Sequence, residues 1–291
     1  VIDLSGDRTD DRLAAHYPAL YARETNRRRG TPTPLADEVA DALRAAARRE
    51  GARLELLRDR NELARAGEVL SRADRIRYLT ERLHREMASE LRWPGDESPD
   101  TGIDVRSLEL SPAEFVTLDI LKRTEVMALL AAWEAGESLG AETRLRLTNS
   151  SALALVVGDD HSLSGYARGG SAAEAVWLTA HQHGLAVQPI SPVFLYAHNR
   201  AELSALSTRF AGQLEELQNE FRHMTQTAPD ETQILALRLV TAPPASVPSR
   251  RRALCRRGPH RTGGGPRGPR PRPGHGSRQS PCRRSRAQVR C

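Results

Sequence analysis

Residues 1–249 contain no cysteine: the chain's three, Cys255, Cys282 and Cys291, all lie beyond them. That absence excludes a disulfide framework, a thiol nucleophile and a thiolate metal site from the body. Lysine is nearly absent too; Lys122 is alone among 291 residues, so cationic recognition falls to arginine. No apolar run reaches the roughly 18 residues a membrane span needs, and no signal-peptide pattern heads the chain. A cytoplasmic protein without membrane contact is therefore expected. Neither a G-x-G-x-x-G after a strand nor a G-x-x-x-x-G-K-[ST] occurs, which removes two common phosphate-binding loops.

Charge is present but unevenly placed. Residues 250–291 hold fourteen arginines and no acid; taking those from the net +6 leaves residues 1–249 at −8. Residues 253–291 lack apolar periodicity and read as a disordered Arg/Gly/Pro-rich tail, behind a domain spanning 1–252. Two readings of that tail stay open. It is either an out-of-frame end of a GC-rich gene or a nucleic-acid-binding arm, the one place where nucleic acid is expected.

Periodicity in the body alternates between helix and strand. Leu13, Tyr17, Leu20 and Tyr21 share a helix face. Thr33-Pro34 reads as the cap and first residue of a second helix with Leu35, Val39 and Leu43 inside and Gly51 at its end. Ala52–Asp59 reads as a strand. Asn61 then caps one long helix running through Leu63, Ile76, Leu83 and Leu91 to a stop at Trp93-Pro94. Ser111–Glu114, "SPAE", is a capping box. Ser151–Asp159 is a buried strand, a helix covers about 168–183 up to Gly184, and Leu185–Leu195 is extended. One helix is expected over 201–224 and a last strand over Thr232–Val240. The sum is an α+β fold, a small mixed sheet sandwiched by helices.

Metal ligation is not expected. His181 and His183, two apart on a helix, point away from each other. Asp159-Asp160-His161 reads as a solvated turn, and Glu81, Glu86 and Glu90 as a wet helix face.

The segment "YARETNRRRG" (Tyr21–Gly30) packs Arg23, Arg27, Arg28 and Arg29 into seven residues. Alone it is either a solvated turn or one wall of an anion site. Together with "GLAVQPISP" and "LRLVTAPPASVPSRRR", in that order, it resembles the nitroreductase-like flavoprotein family. The closest likeness is to the divergent actinobacterial branch, over roughly residues 15–252. The resemblance implies a dimer binding FMN at the subunit interface. It places Arg23 and Thr25 at phosphate- and ribityl-contacting positions and Arg27 beneath the pyrimidine edge of the flavin. There a cation would stabilise the negative charge of the reduced ring. Glu24 stands where relatives often carry arginine or histidine. Pro189, Ile190 and Ser191 match the segment packed on one isoalloxazine face, and Ser249 and Arg250 the pair that closes over the phosphate.

By resemblance, then, the chain is an FMN-dependent oxidoreductase that moves hydride from NAD(P)H to a nitroaromatic, quinone or similar acceptor. No catalytic side chain is required. Pro192 lacks the N–H that a glycine supplies in many active members. That leaves open a flavin-sequestering protein of low turnover. A partner domain is also open, since such modules occur fused behind an adenylating, ubiquitin-activating-like domain.

Overall fold

A computed structural model describes residues 11–96 and 101–249, with side chains from residue 16 onward. The expectations at Leu13 (its side chain), Arg250 and the tail lie outside the described residues. Strand β4 (Ala152–Gly158) sits at the centre of a four-stranded sheet of order β1-β4-β6-β5, with β1 at Arg53–Leu57, β5 at Ala186–Ile190 and β6 at Thr232–Val240. Every pairing in that sheet is antiparallel. Parallel pairing is confined to a separate ribbon, β2 (Leu91–Arg92) against β3 (Ile103–Asp104).

All seven residues of β4 are buried, because helices cover both faces. The strand period of two assigns them: Leu153, Leu155 and Val157 enter one core, Ala152, Ala154 and Val156 the other. The first core is built against α3 (Arg60–Leu79) and α10 (Ala211–Met224), the second against α2 (Asp37–Arg49) and α8 (Leu163–Gln182). This is the expected α+β architecture, a small sheet flanked by helices, except that the sheet is antiparallel and not mixed.

Helix ends account for most of the differences from the sequence reading. Helix α2 starts at Asp37, not at Pro34, because Thr31 pairs with Thr241 beyond the end of β6 and holds the chain extended. The cap of α3 is Asp59, not Asn61; its carboxylate accepts the N–H groups of Asn61 and Glu62, and Glu62 closes the box. The long helix breaks at Thr80, whose extended backbone separates α3 from α4 (Glu81–Glu90) and whose hydroxyl donates to Ser207 Oγ at 2.9 Å. The helix expected over 201–224 is two, α9 (Arg200–Leu206) and α10, with Ser207 and Phe210 buried between them. Helix α8 begins five residues early, capped by Ser162. The ends at Gly51 and Gly184 stand as read: both are left-handed (φ 75° and 74°), and the next N–H returns to the carbonyl of Ala47 or Ala180.

One core residue breaks the hydrophobic pattern. Arg238, in β6 between Leu237 and Leu239, is fully buried. Its guanidinium donates to the Arg146 carbonyl (3.2 Å), Ser150 Oγ (2.9 Å), the Arg28 carbonyl (2.9 Å) and the Arg29 carbonyl. Arg238→Met would keep the apolar stem but strand these acceptors in the interior. We expect a loss of about 2–4 kcal/mol in denaturant unfolding, the scale of breaking a buried hydrogen-bond network.

Candidate functional site

The three segments singled out in the sequence meet at one corner of the sheet. The Asn26 N–H donates to the Val187 carbonyl of β5 at 2.9 Å, and its side-chain amide to the Pro243 carbonyl at 2.8 Å. Arg28 donates to the Pro244 carbonyl and to Ser246 Oγ, each at 2.8 Å, and the Glu24 carboxylate accepts the Ala245 N–H at 2.6 Å. Gly30 permits the approach. It has φ 70°, and a Cβ there would stand 2.6 Å from the Thr241 carbonyl oxygen. Glu24 thus organises the chain after β6.

A cavity of about 370 Å³ opens beside this corner. Thr25, Arg27 and Ser249 line it, and the Thr25 N–H donates to Ser249 Oγ at 3.2 Å. Its remaining lining comes largely from residues 92–96 and 101–107, including Arg92, Trp93 and Arg106. Sequence reasoning used Trp93 only as a helix stop; "RWPGD" carried an aromatic, a cation and a turn that signalled more. Arg238 and Arg146 were missed as well, since a lone arginine in an apolar strand has no pattern.

The other assigned residues are elsewhere. Arg23 does not line this cavity: its Nε meets Glu174 at 2.7 Å, and its guanidinium lies 4.7 Å from the Trp177 ring centre. Pro189 and Ile190 pair with Leu237 and Ala236 in the sheet, and the Ser191 carbonyl accepts from Arg77 of α3. The Asp159–His161 turn lies at the surface as expected, with Asp159 and His161 exposed, and it is tied to its neighbours. The His161 and His198 rings are 4.1 Å apart, because the Asp160 carbonyl and the His161 ring are both held by Thr232 Oγ1.

Charge is what distinguishes the cavity. Arg146 pairs with Glu142 at 2.8 Å, and Arg29 with Glu142 at 2.9 Å and Glu114 at 3.0 Å. Arg27 makes no ion pair among the described residues; it reaches only the Ser107 carbonyl (3.4 Å) and hydroxyl (3.3 Å). Burial, then the neighbouring Arg146, bring its pKa well below the usual arginine value, to about 10, against a weaker opposing pull from Glu109. The fold therefore holds Arg27 charged at a cost and supplies it with two long hydrogen bonds. A group with those properties fits an anion.

No family model matches the chain. It is 53% identical over 243 residues to the uncharacterized protein MT1398 of Mycobacterium tuberculosis (strain CDC 1551 / Oshkosh), a match covering 84% of this chain. The chain spans only about a third (34%) of that relative's length. Its structural neighbours, all distant, include FMN-dependent nitroreductases. The FMN-dependent nitroreductase NfnB from Mycobacterium smegmatis, in complex with NADPH, is 14% identical, with 79% of this chain and 89% of that one covered and a TM-score of 0.42. An FMN-dependent nitroreductase from Clostridium difficile R20291 is 11% identical (83% and 96% covered, TM-score 0.45). Oxidized iodotyrosine deiodinase, bound to FMN and 3-iodo-L-tyrosine, is 12% identical (82% and 96% covered, TM-score 0.46). Among the described residues no helix is long and apolar enough to cross a membrane.

The state of Arg27 can be checked without any ligand. Replacing it by methionine keeps the stem and removes a cation that the folded state disfavours. We expect Arg27→Met to raise the melting temperature of the unliganded protein. A fall of several degrees would show that the guanidinium stabilises the fold and is not held for an anion.

Proposed function

We propose that this chain is an FMN-dependent oxidoreductase of the nitroreductase-like family, with FMN held at the cavity of Thr25, Arg27 and Ser249. The observation that carries the reading is Arg27, a partly buried cation without a carboxylate partner among the described residues, facing a cavity of ligand size. FMN supplies the anion, through its phosphate and the electron-rich pyrimidine edge of its ring, and when bound it supplies the hydride chemistry. In this reading the chain's own part is to bind, orient and stabilise charge. Arg27 and the Thr25–Ser249 pair form one wall; by resemblance, Arg250, outside the described residues, would complete the phosphate site, and Pro189, Ile190 and Ser191, which do not line this cavity, would pack on a flavin face reaching beyond it. Arg23 would reach a phosphate only by exchanging its Glu174 partner.

NAD(P)H is the proposed electron donor, and a homodimer the proposed assembly. Apolar side chains left in solvent on α5 (Pro112–Leu121) and α6 (Thr124–Ala132) support the latter: Val116 is 61% exposed, and Trp133, just beyond α6, 72%. A second reading, a flavin-holding module of low turnover, draws on Pro192. It sits in extended backbone before a 3-10 turn at Val193–Tyr196 and offers no N–H donor.

Thermal unfolding with excess FMN tests the binding. A ligand at about 100 times its Kd stabilises the native state by ~2.7 kcal/mol, so the melting temperature should rise clearly. Arg27→Met should weaken FMN by about 1.5–3 kcal/mol, the range for hydrogen bonds to charged groups. A melting temperature indifferent to FMN would overturn the reading. Anaerobic NAD(P)H that fails to bleach bound FMN would leave the low-turnover module in its place.

A further inference from the structure

The β2–β3 ribbon gives the cavity a second cationic wall that FMN binding at Arg27 does not use. The Arg92 guanidinium donates to the carbonyls of Ser89 (2.7 Å) and Leu91 (3.0 Å) and to Thr101 Oγ1 (3.2 Å). All three are neutral oxygens, so Arg92 is fixed in place with its charge uncompensated among the described residues. Gly102 admits it: with φ 80°, a Cβ there would stand 2.8 Å from Arg92 Cζ. The neighbouring Arg106 differs. Asp104 holds it in a two-point pair at 3.0 and 2.6 Å. The last charged lining residue, Asp96, accepts the Trp93 N–H at 2.6 Å. Among the described lining residues, three guanidinium groups against two carboxylates leave one net positive charge.

Trp93, next along the chain, also lines the cavity. Phe115 meets its indole edge-on at 5.1 Å, and Lys122 Nζ stands 4.0 Å from its ring centre. The indole is therefore braced on two sides; the ammonium beside it also pairs with Asp119 at 2.6 Å. A fixed guanidinium beside a fixed flat ring matches a ligand that is both anionic and aromatic. The guanidinium offers paired N–H donors to a carboxylate, and the indole offers stacking area.

We propose that Arg92 and Trp93 form a binding subsite for a planar aromatic anion, of the aromatic carboxylate class. Its role as the second reactant rests on the FMN reading above; its existence as a binding site does not. The subsite selects the carboxylate through Arg92 and the ring through Trp93.

Calorimetric titration of the full chain, with and without saturating FMN, tests this with three ligands of similar size. These are 4-nitrobenzoate, neutral nitrobenzene and cationic 4-nitrobenzylamine. 4-Nitrobenzoate should bind roughly tenfold or more tightly than the other two, as a charge-assisted hydrogen bond requires. Arg92→Gln should abolish that preference and leave nitrobenzene unchanged. Arg92→Lys, which keeps the charge but loses the fork, should retain part of it and shows that the position tolerates change. Trp93→Leu should weaken all three. Equal binding of the three ligands, or an unchanged preference in Arg92→Gln, would overturn the subsite. Discrimination without any FMN binding would leave the subsite standing and defeat the FMN reading. FMN binding without discrimination would do the reverse.

Discussion

A full positive charge buried inside the sheet constrains this fold more than any other feature. Arg238 lies fully buried in β6, where its alternation turns it toward the core shared with α3 and α10. Such a charge is tolerable only when every donor finds an acceptor. The acceptors are not supplied by β6 itself. They come from the backbone of Arg28 and Arg29 and from the end of α7 (Ala141–Thr148) and the turn after it. The arginine segment is therefore drawn onto the sheet by its carbonyls while its own side chains point elsewhere. Gly30 makes the approach sterically possible, and the Thr31–Thr241 bridge extends it.

From that anchoring follows the electrostatics of the cavity. Holding Arg28 and Arg29 by their backbones frees their guanidinium groups for the chain after β6 and for Glu114 and Glu142. Glu142 then serves both Arg29 and Arg146 and has little left to offer Arg27. Arg146, close to both Arg27 and Arg238, pushes each of their pKa values down, second only to burial. The result is local cation excess in a body that carries −8 overall. In a low-dielectric corner such an excess is worth far more to an incoming anion than the same charges in water.

The strands and glycine-terminated helix ends were legible because their signals are local. Apolar runs over 152–158 and 232–240 with turn residues on either side read as strands, and Gly51 and Gly184 marked left-handed stops. The grouping of Tyr21–Gly30 with the later segments was legible only through resemblance, and the hydrogen bonds among them give that grouping a physical form. What stayed hidden depended on partners distant in sequence. The break at Thr80 answers to Ser207, and the late start of α2 answers to Thr241. Arg23 carried no mark of Glu174, nor Arg238 of the carbonyls it serves. Helix α7 and the β2–β3 ribbon, which position Arg146 and Arg92, lack clear periodicity at their lengths of eight and two residues per element.

The central claim is that the charge of Arg27, unpaired among the described residues, belongs to a flavin-binding site. The most direct measurement is the visible spectrum of the protein after incubation with excess FMN and removal of free ligand by gel filtration. The account predicts a yellow protein with displaced flavin bands and about one FMN per chain at saturation. It also predicts that Arg27→Met, passed through the same column, retains much less. A colourless wild-type protein, or equal retention by the two, would contradict it.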